Sequence, residues 1–220
     1  MLEAVGHNVV PRLRGVMHAY ALVFAIAAAV VLFVSVDGSR AHVAAGVYGL
    51  GLCGLFGVSA TYHRWRGNPR VKPVLRRIDH SMIFVFIAAS YTPVALLVLR
   101  SPLSWIVLGS AWAGAVAGVV FSLGWIDAPR SWTAAAYIAM GWMIVVAAPQ
   151  LVDALGAAAA LLFLAGGILY SAGAAIYARQ RPDPWPATFG YHEIFHTLVT
   201  AAAALHFVAM AVWVFPRAGS

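Results

Sequence analysis

Histidine, aspartate and serine are costly inside long apolar segments, so each one found there needs a partner or a task. The richest such stretch is Tyr191-His192-Glu193-Ile194-Phe195-His196. His192 and His196 are four residues apart, which puts them on one face of a helix, able to grip one metal ion. The resemblance of the stretch to the zincin motif His-Glu-x-x-His is taken as superficial; Glu193 points about 100° away from His192 and is not taken as a general base. A third ligand is needed, and His63 is the strongest candidate, ending Ser59-Ala60-Thr61-Tyr62-His63 with Ser59 one turn earlier on the same face. Asp79 follows in Arg77-Ile78-Asp79-His80-Ser81, where it is expected to open a helix. Three neutral imidazoles leave a tetrahedral zinc with one open position, where water can be activated as a nucleophile. Asp79 would accept or orient that water's proton, and Ser59 would donate to a developing oxyanion. Simpler roles stand beside these: Asp79 as a helix N-cap, Ser59 bonded back to its own helix, the histidines as polar packing groups.

The elements that position these residues follow from composition. Of 220 residues, 63% are hydrophobic and only 10% charged. A soluble domain would carry roughly a quarter charged residues, so a water-soluble fold is excluded, as are disorder and coiled coil. The apolar residues number about 139, enough for about seven crossings at roughly 20 residues each. Apolar segments separate at Gly, Pro and charged clusters into spans at roughly 17–36, 42–62, 80–99, 104–126, 132–151, 157–178 and 192–215. The expected fold is all-α: a single seven-helix transmembrane domain over 1–220, with no separate domain or linker. Pro93 is expected to kink the third span and Pro149 to mark the end of the fifth.

The net charge of +7 is read first as topology. Eleven of the fourteen basic residues fall at the N-terminus (Arg12, Arg14), after the second span (Arg64 to Arg77), after the fourth (Arg130) and after the sixth (Arg179, Arg181). Arg40, Arg100 and Arg217 lie on the other side. This predicts a cytoplasmic N-terminus and an outside C-terminus, the reverse of rhodopsin-like receptors, and makes nucleic acid a poor partner. The cluster from Arg64 to Arg77 has a second reading, a surface for anionic lipid headgroups. Parity then ties the candidates together. The second helix ends, and the third and seventh begin, on the same cytoplasmic side. Ser59, His63, Asp79, His192 and His196 would thus share one depth. The other histidines are weaker: His80 faces elsewhere, His18 is a neighbour of the site at most, and His7 and His42 suit solvent or interface. His206 lies about 21 Å along the helix from His192 and suits an interior role. The lone Cys53 cannot form an intramolecular disulfide and suits packing.

Together, Ser59-x-x-x-His63, Ile78-Asp79-His80-Ser81 and His192-Glu193-Ile194-Phe195-His196 continuing to Ala204-Leu205-His206-Phe207 resemble the hemolysin III family, bacterial relatives of the progestin and adiponectin receptors. The resemblance runs from the first helix to the last. It implies seven helices, a cytoplasmic N-terminus and a zinc ion near the cytoplasmic face, held by His63, His192 and His196 with Asp79 and Ser59 beside it. It also implies kinship with membrane hydrolases that include alkaline ceramidases. Glu193 stands where the adiponectin receptors carry glutamine, and the long N-terminal extension of those receptors is missing, so no peptide hormone is expected as a partner. Three functions compete for a multi-pass protein of the cell membrane: a zinc-dependent hydrolase of a lipid amide or ester, a non-enzymatic sensor with structural zinc, and a channel or cytolysin. Membrane lipid is the expected partner of the first.

Overall fold

The computed structural model describes residues 11–219, which leaves His7 outside it. Among these residues the architecture is all-α, with no strand beyond an isolated bridge between Trp185 and Phe189. The helices are α1 (Val16–Val34), α2 (Ser39–Arg64), α3 (Lys72–Leu97), α4 (Leu103–Gly124), α5 (Arg130–Trp142), α6 (Ala148–Arg179) and α7 (Tyr191–Ala209). Short 3-10 pieces precede α3 and α6, and α7 runs on through a π turn at Met210–Val214.

Neighbours in sequence pack side by side: α1 on α2, α2 on α3, α3 on α4, α5 on α6 and α6 on α7. The ring closes where α7 returns to α1 and α3 meets α5. The contacts are made largely by small residues. Ala41, Ala44, Ala45, Ala88, Ala111, Ala159 and Ala202 are all fully buried, which lets backbones approach closely, as packing between membrane helices requires. Large apolar side chains point outward instead, with Phe24 74% and Leu50 76% exposed. In water such a surface would aggregate; in a bilayer it is the correct solvent-facing side. Six helical runs are long and apolar enough to cross a membrane, and the chain is a multi-pass membrane protein.

One of those runs, Arg130–Arg179, is 50 residues long. At 1.5 Å per residue it would extend about 75 Å, more than twice a hydrocarbon core of ~30 Å. It is not straight. The 3-10 piece Met143–Ala147 follows α5, and Gly156 inside α6 has non-helical angles (φ 80°, ψ 170°). The chain doubles back here, so that Trp142 Nε1 donates to Ser171 Oγ at 2.8 Å. Pro149 sits in the first turn of α6, just after the run from α5 ends at Ala147, a position where its missing N–H is harmless.

The start of the third helix also differs from expectation. It begins at Lys72, so Asp79 lies two turns inside it and is not its N-cap. The cap belongs to the 3-10 turn before it, where Asn68 Oδ1 accepts from Arg70 N. Pro73 suits a first turn, and the Arg and Lys side chains of these amphipathic turns carry their charge out to water. Hydropathy rises only two turns after the helix has begun.

Loop contacts sort the two ends of the bundle. At one end Arg100 N donates to Gln150 Oε1, joining the α3–α4 connection to the start of α6. At the other, Arg76 pairs with Asp127 at 3.0 Å, and the N–H groups of Arg12 and Leu13 donate to the carbonyls of Ala187 and Thr188. The second end carries the basic segments.

Candidate metal centre

At that basic end α2 finishes and α7 begins, and their histidines converge. Nε2 of His63 and Nε2 of His192 lie 3.1 Å apart. The His196 ring sits 4.8 Å from that of His63 and 4.5 Å from that of His192, centre to centre. One nitrogen from each of the three falls within 4.8 Å of the others, close enough to hold one metal ion. A zinc–nitrogen bond of about 2.0–2.1 Å at tetrahedral angles places ligand nitrogens roughly 3.3 Å apart. The His63–His192 spacing is already near that value, and three imidazoles with no thiolate are a donor set zinc accepts. The residues present fit the ion.

Packing on every side holds these rings. Gly190 caps α7, and its N–H donates to Glu193 Oε2 at 2.9 Å. The other Glu193 oxygen accepts from Arg14 Nε, an ion pair with the carboxylate side chain only 2% exposed. Both Glu193 oxygens are thereby engaged, one by Gly190 and one by Arg14. Arg14 and Gly15 belong to a strap running from residue 11 into α1, laid over the α6–α7 connection. Gly15 has φ 74°, and a Cβ there would lie 2.7 Å from His63 Cβ. Only glycine satisfies both the left-handed backbone and the close approach. One turn further on, the His18 ring stacks on His196, 3.9 Å between centres and 7° from parallel. His18 is 3% exposed, and neither of its nitrogens has a hydrogen-bond partner among the described residues.

Ser59 and Asp79 approach from α2 and α3, side chain to side chain, and line the same cavity as His192 and His196. Thr61, not Ser59, bonds back to its own helix, through the Gly57 carbonyl. His80 also lines this cavity instead of facing elsewhere. Its Nδ1 donates to the Arg76 carbonyl at 2.8 Å, its Nε2 accepts from the Tyr177 hydroxyl at 3.3 Å, and Tyr137 bonds its carbonyl. The Tyr177 ring lies 6.0 Å from that of His192, and the Arg130 guanidinium lies over it, 5.8 Å from the ring centre. The cavity, about 1110 Å³ when the space at its open side is included, is walled mainly by apolar residues of α3, α5, α6 and α7.

Sequence reasoning missed Arg14, Gly15, Tyr137 and Tyr177. A signal existed for Arg14: an acidic residue at a span edge demands a cation, and Arg12 and Arg14 were the nearest at that end outside the loops. Nothing in the spacing points to the two tyrosines.

Comparison with known proteins agrees along the whole chain. Residues 7–207 match the family described as Haemolysin-III related. The sequence is 32% identical over 208 residues to Hemolysin-3 of Bacillus cereus, covering 93% of this chain and 92% of that one. It is 33% identical over 162 residues to the Hemolysin-3 homolog of Bacillus subtilis (strain 168), covering 73% and 72%. It is 29% identical over 199 residues to the human Monocyte to macrophage differentiation factor, covering 88% and 79%. No solved structure matches.

Proposed function

The chain belongs to the haemolysin-III related family, and on that premise we propose that it is a zinc-dependent intramembrane hydrolase of a lipid amide or ester. The observation that carries this reading is the three-histidine cluster at the head of a large, mostly apolar cavity. Such a cavity, with few convergent polar groups, suits an apolar ligand presenting one polar linkage. Bound zinc would polarise the carbonyl and lower the pKa of a neighbouring water. His63, His192 and His196 hold it. Asp79 takes the proton of the attacking water and returns it to the leaving amine or alcohol. Ser59, beside that carboxylate, donates its one hydroxyl hydrogen to the developing oxyanion once Asp79 has taken up a proton. His80 and Tyr177 fix the wall through which the linkage reaches Asp79.

Two supports bear on topology. The folded-back run Arg130–Arg179 is taken as two crossings, which makes seven. The shared end of the basic segments is taken as cytoplasmic, which puts the N-terminus inside and the zinc near that face. Membrane lipid is the substrate; neither nucleic acid nor a peptide hormone is a partner.

The test is hydrolysis of a panel of lipid esters and amides by the purified protein. Metal removal and His196→Ala should each abolish turnover; turnover surviving both contradicts the reading. A second reading has its own observation: the ligands come from α2 and α7, which are joined mainly through α1. A zinc that only clamps these helices, as in a non-enzymatic sensor, would make chelation lower the melting temperature while no lipid is turned over.

A further inference from the structure

The cavity does not end at the metal centre. A second one, about 780 Å³ with its open side included, continues it between α3, α5, α6 and α7, and both share Ser90, Tyr91, Gly141, Trp142, Gly167 and His206. His206 stands where they join, fourteen residues beyond His192 on one helix. That is about 21 Å, well over half of a hydrocarbon core of ~30 Å. A polar ring at such depth needs a reason.

Its placement is built. A Cβ at Gly166 would collide with the His206 ring, so α6 leaves a notch for it. In that notch Nε2 lies 3.0 Å from the Phe163 carbonyl. A carbonyl only accepts, so Nε2 carries the hydrogen and the neutral ring keeps an acceptor at Nδ1. No protein group among the described residues bonds that nitrogen. Edge-on to the same ring, 5.5 Å between centres, is Tyr170, which lines the first cavity. Its hydroxyl is buried and has no partner among the described residues. A buried hydroxyl left unpaired is costly. An acceptor and a donor, both unused, thus belong to two rings in edge contact deep in a mostly apolar passage.

We propose that His206 and Tyr170 form a second polar subsite that binds a hydroxyl group borne far along the hydrocarbon chain of the ligand. A hydroxyl both donates and accepts, so it satisfies Nδ1 of His206 and the Tyr170 hydroxyl at once; a plain methyl terminus satisfies neither. The subsite rests on the lipid reading above, since it needs a chain that enters from the metal centre. It adds to that reading a preference for chains hydroxylated at the end remote from the scissile linkage.

The test is competitive binding to the purified wild-type protein of three acids: palmitate, palmitate hydroxylated on its terminal carbon, and palmitate hydroxylated next to the carboxylate. The terminal hydroxyl should tighten binding roughly three- to tenfold over palmitate, the value of one or two net hydrogen bonds. The hydroxyl beside the carboxylate should add nothing. Tyr170→Phe should erase the preference and leave palmitate unchanged. Equal affinity of wild type for all three acids overturns the subsite while the lipid reading stands. Binding of none overturns both. A Tyr170→Phe protein that binds all three equally less well shows a packing role and overturns the subsite.

Discussion

Nε2 of His63 and Nε2 of His192 face each other at 3.1 Å across the gap between α2 and α7. Two imidazole lone pairs do not approach so closely unless a proton or a cation lies between them. His196 adds a third nitrogen from the same side of α7, which makes a cation the better answer. Around this cluster lies a frame assembled from distant sequence: the Arg14–Glu193 ion pair, the Gly15 turn and the His18 stack. Each makes a prediction of its own.

Arg14 and Glu193 form a pair in which the carboxylate is almost entirely buried. Removing one partner strands the other charge, at a cost of about 3–5 kcal/mol. Arg14→Leu should lower the melting temperature in detergent sharply, and Arg14→Leu combined with Glu193→Leu should recover much of the loss. A double variant as unstable as the sum of the singles would show that the two side chains act independently.

Gly15→Ala forces a left-handed backbone on an L residue, worth about 1–2 kcal/mol, and drives a methyl group into His63. Since His63 must move, metal affinity should fall along with stability. Titration of the stripped protein with zinc measures it. A variant that melts lower yet binds zinc as tightly as wild type would separate Gly15 from the centre.

The stack of His18 on His196 holds a ligand ring in place. An aromatic pair of this kind contributes roughly 0.5–1.5 kcal/mol, so His18→Ala should weaken zinc binding about three- to tenfold. His18→Phe keeps a flat ring and should bind zinc nearly as wild type. If the Phe variant loses as much as the Ala variant, the nitrogens of His18 matter and the stack does not.

The fold was legible wherever apolar runs were broken by charge or glycine, because a bilayer imposes one length on every crossing. The three metal-binding candidates were legible for a related reason. His192 and His196 carry helical spacing, and parity of crossings brings His63 to their end. Helix ends were harder. Asp79 reads as a first residue because hydropathy rises there, but the helix begins seven residues earlier in an amphipathic, basic turn. The frame was harder still. Arg14 looked like one topology charge among eleven, and its partner lies 179 residues away. α1 is apolar all round, so no stripe says that His18 faces inward. His80 reads as facing away from the site because its rotation about α3 depends on Tyr177 and Tyr137, which only the packed bundle supplies.

The central claim is that His63, His192 and His196 hold one zinc ion, and metal analysis of the purified protein beside His63→Ala tests it most directly. Wild type should carry close to one zinc per chain and His63→Ala almost none, with both proteins folded by their melting curves. Equal zinc in the two, or no metal in a folded wild-type protein prepared without chelators, would contradict it.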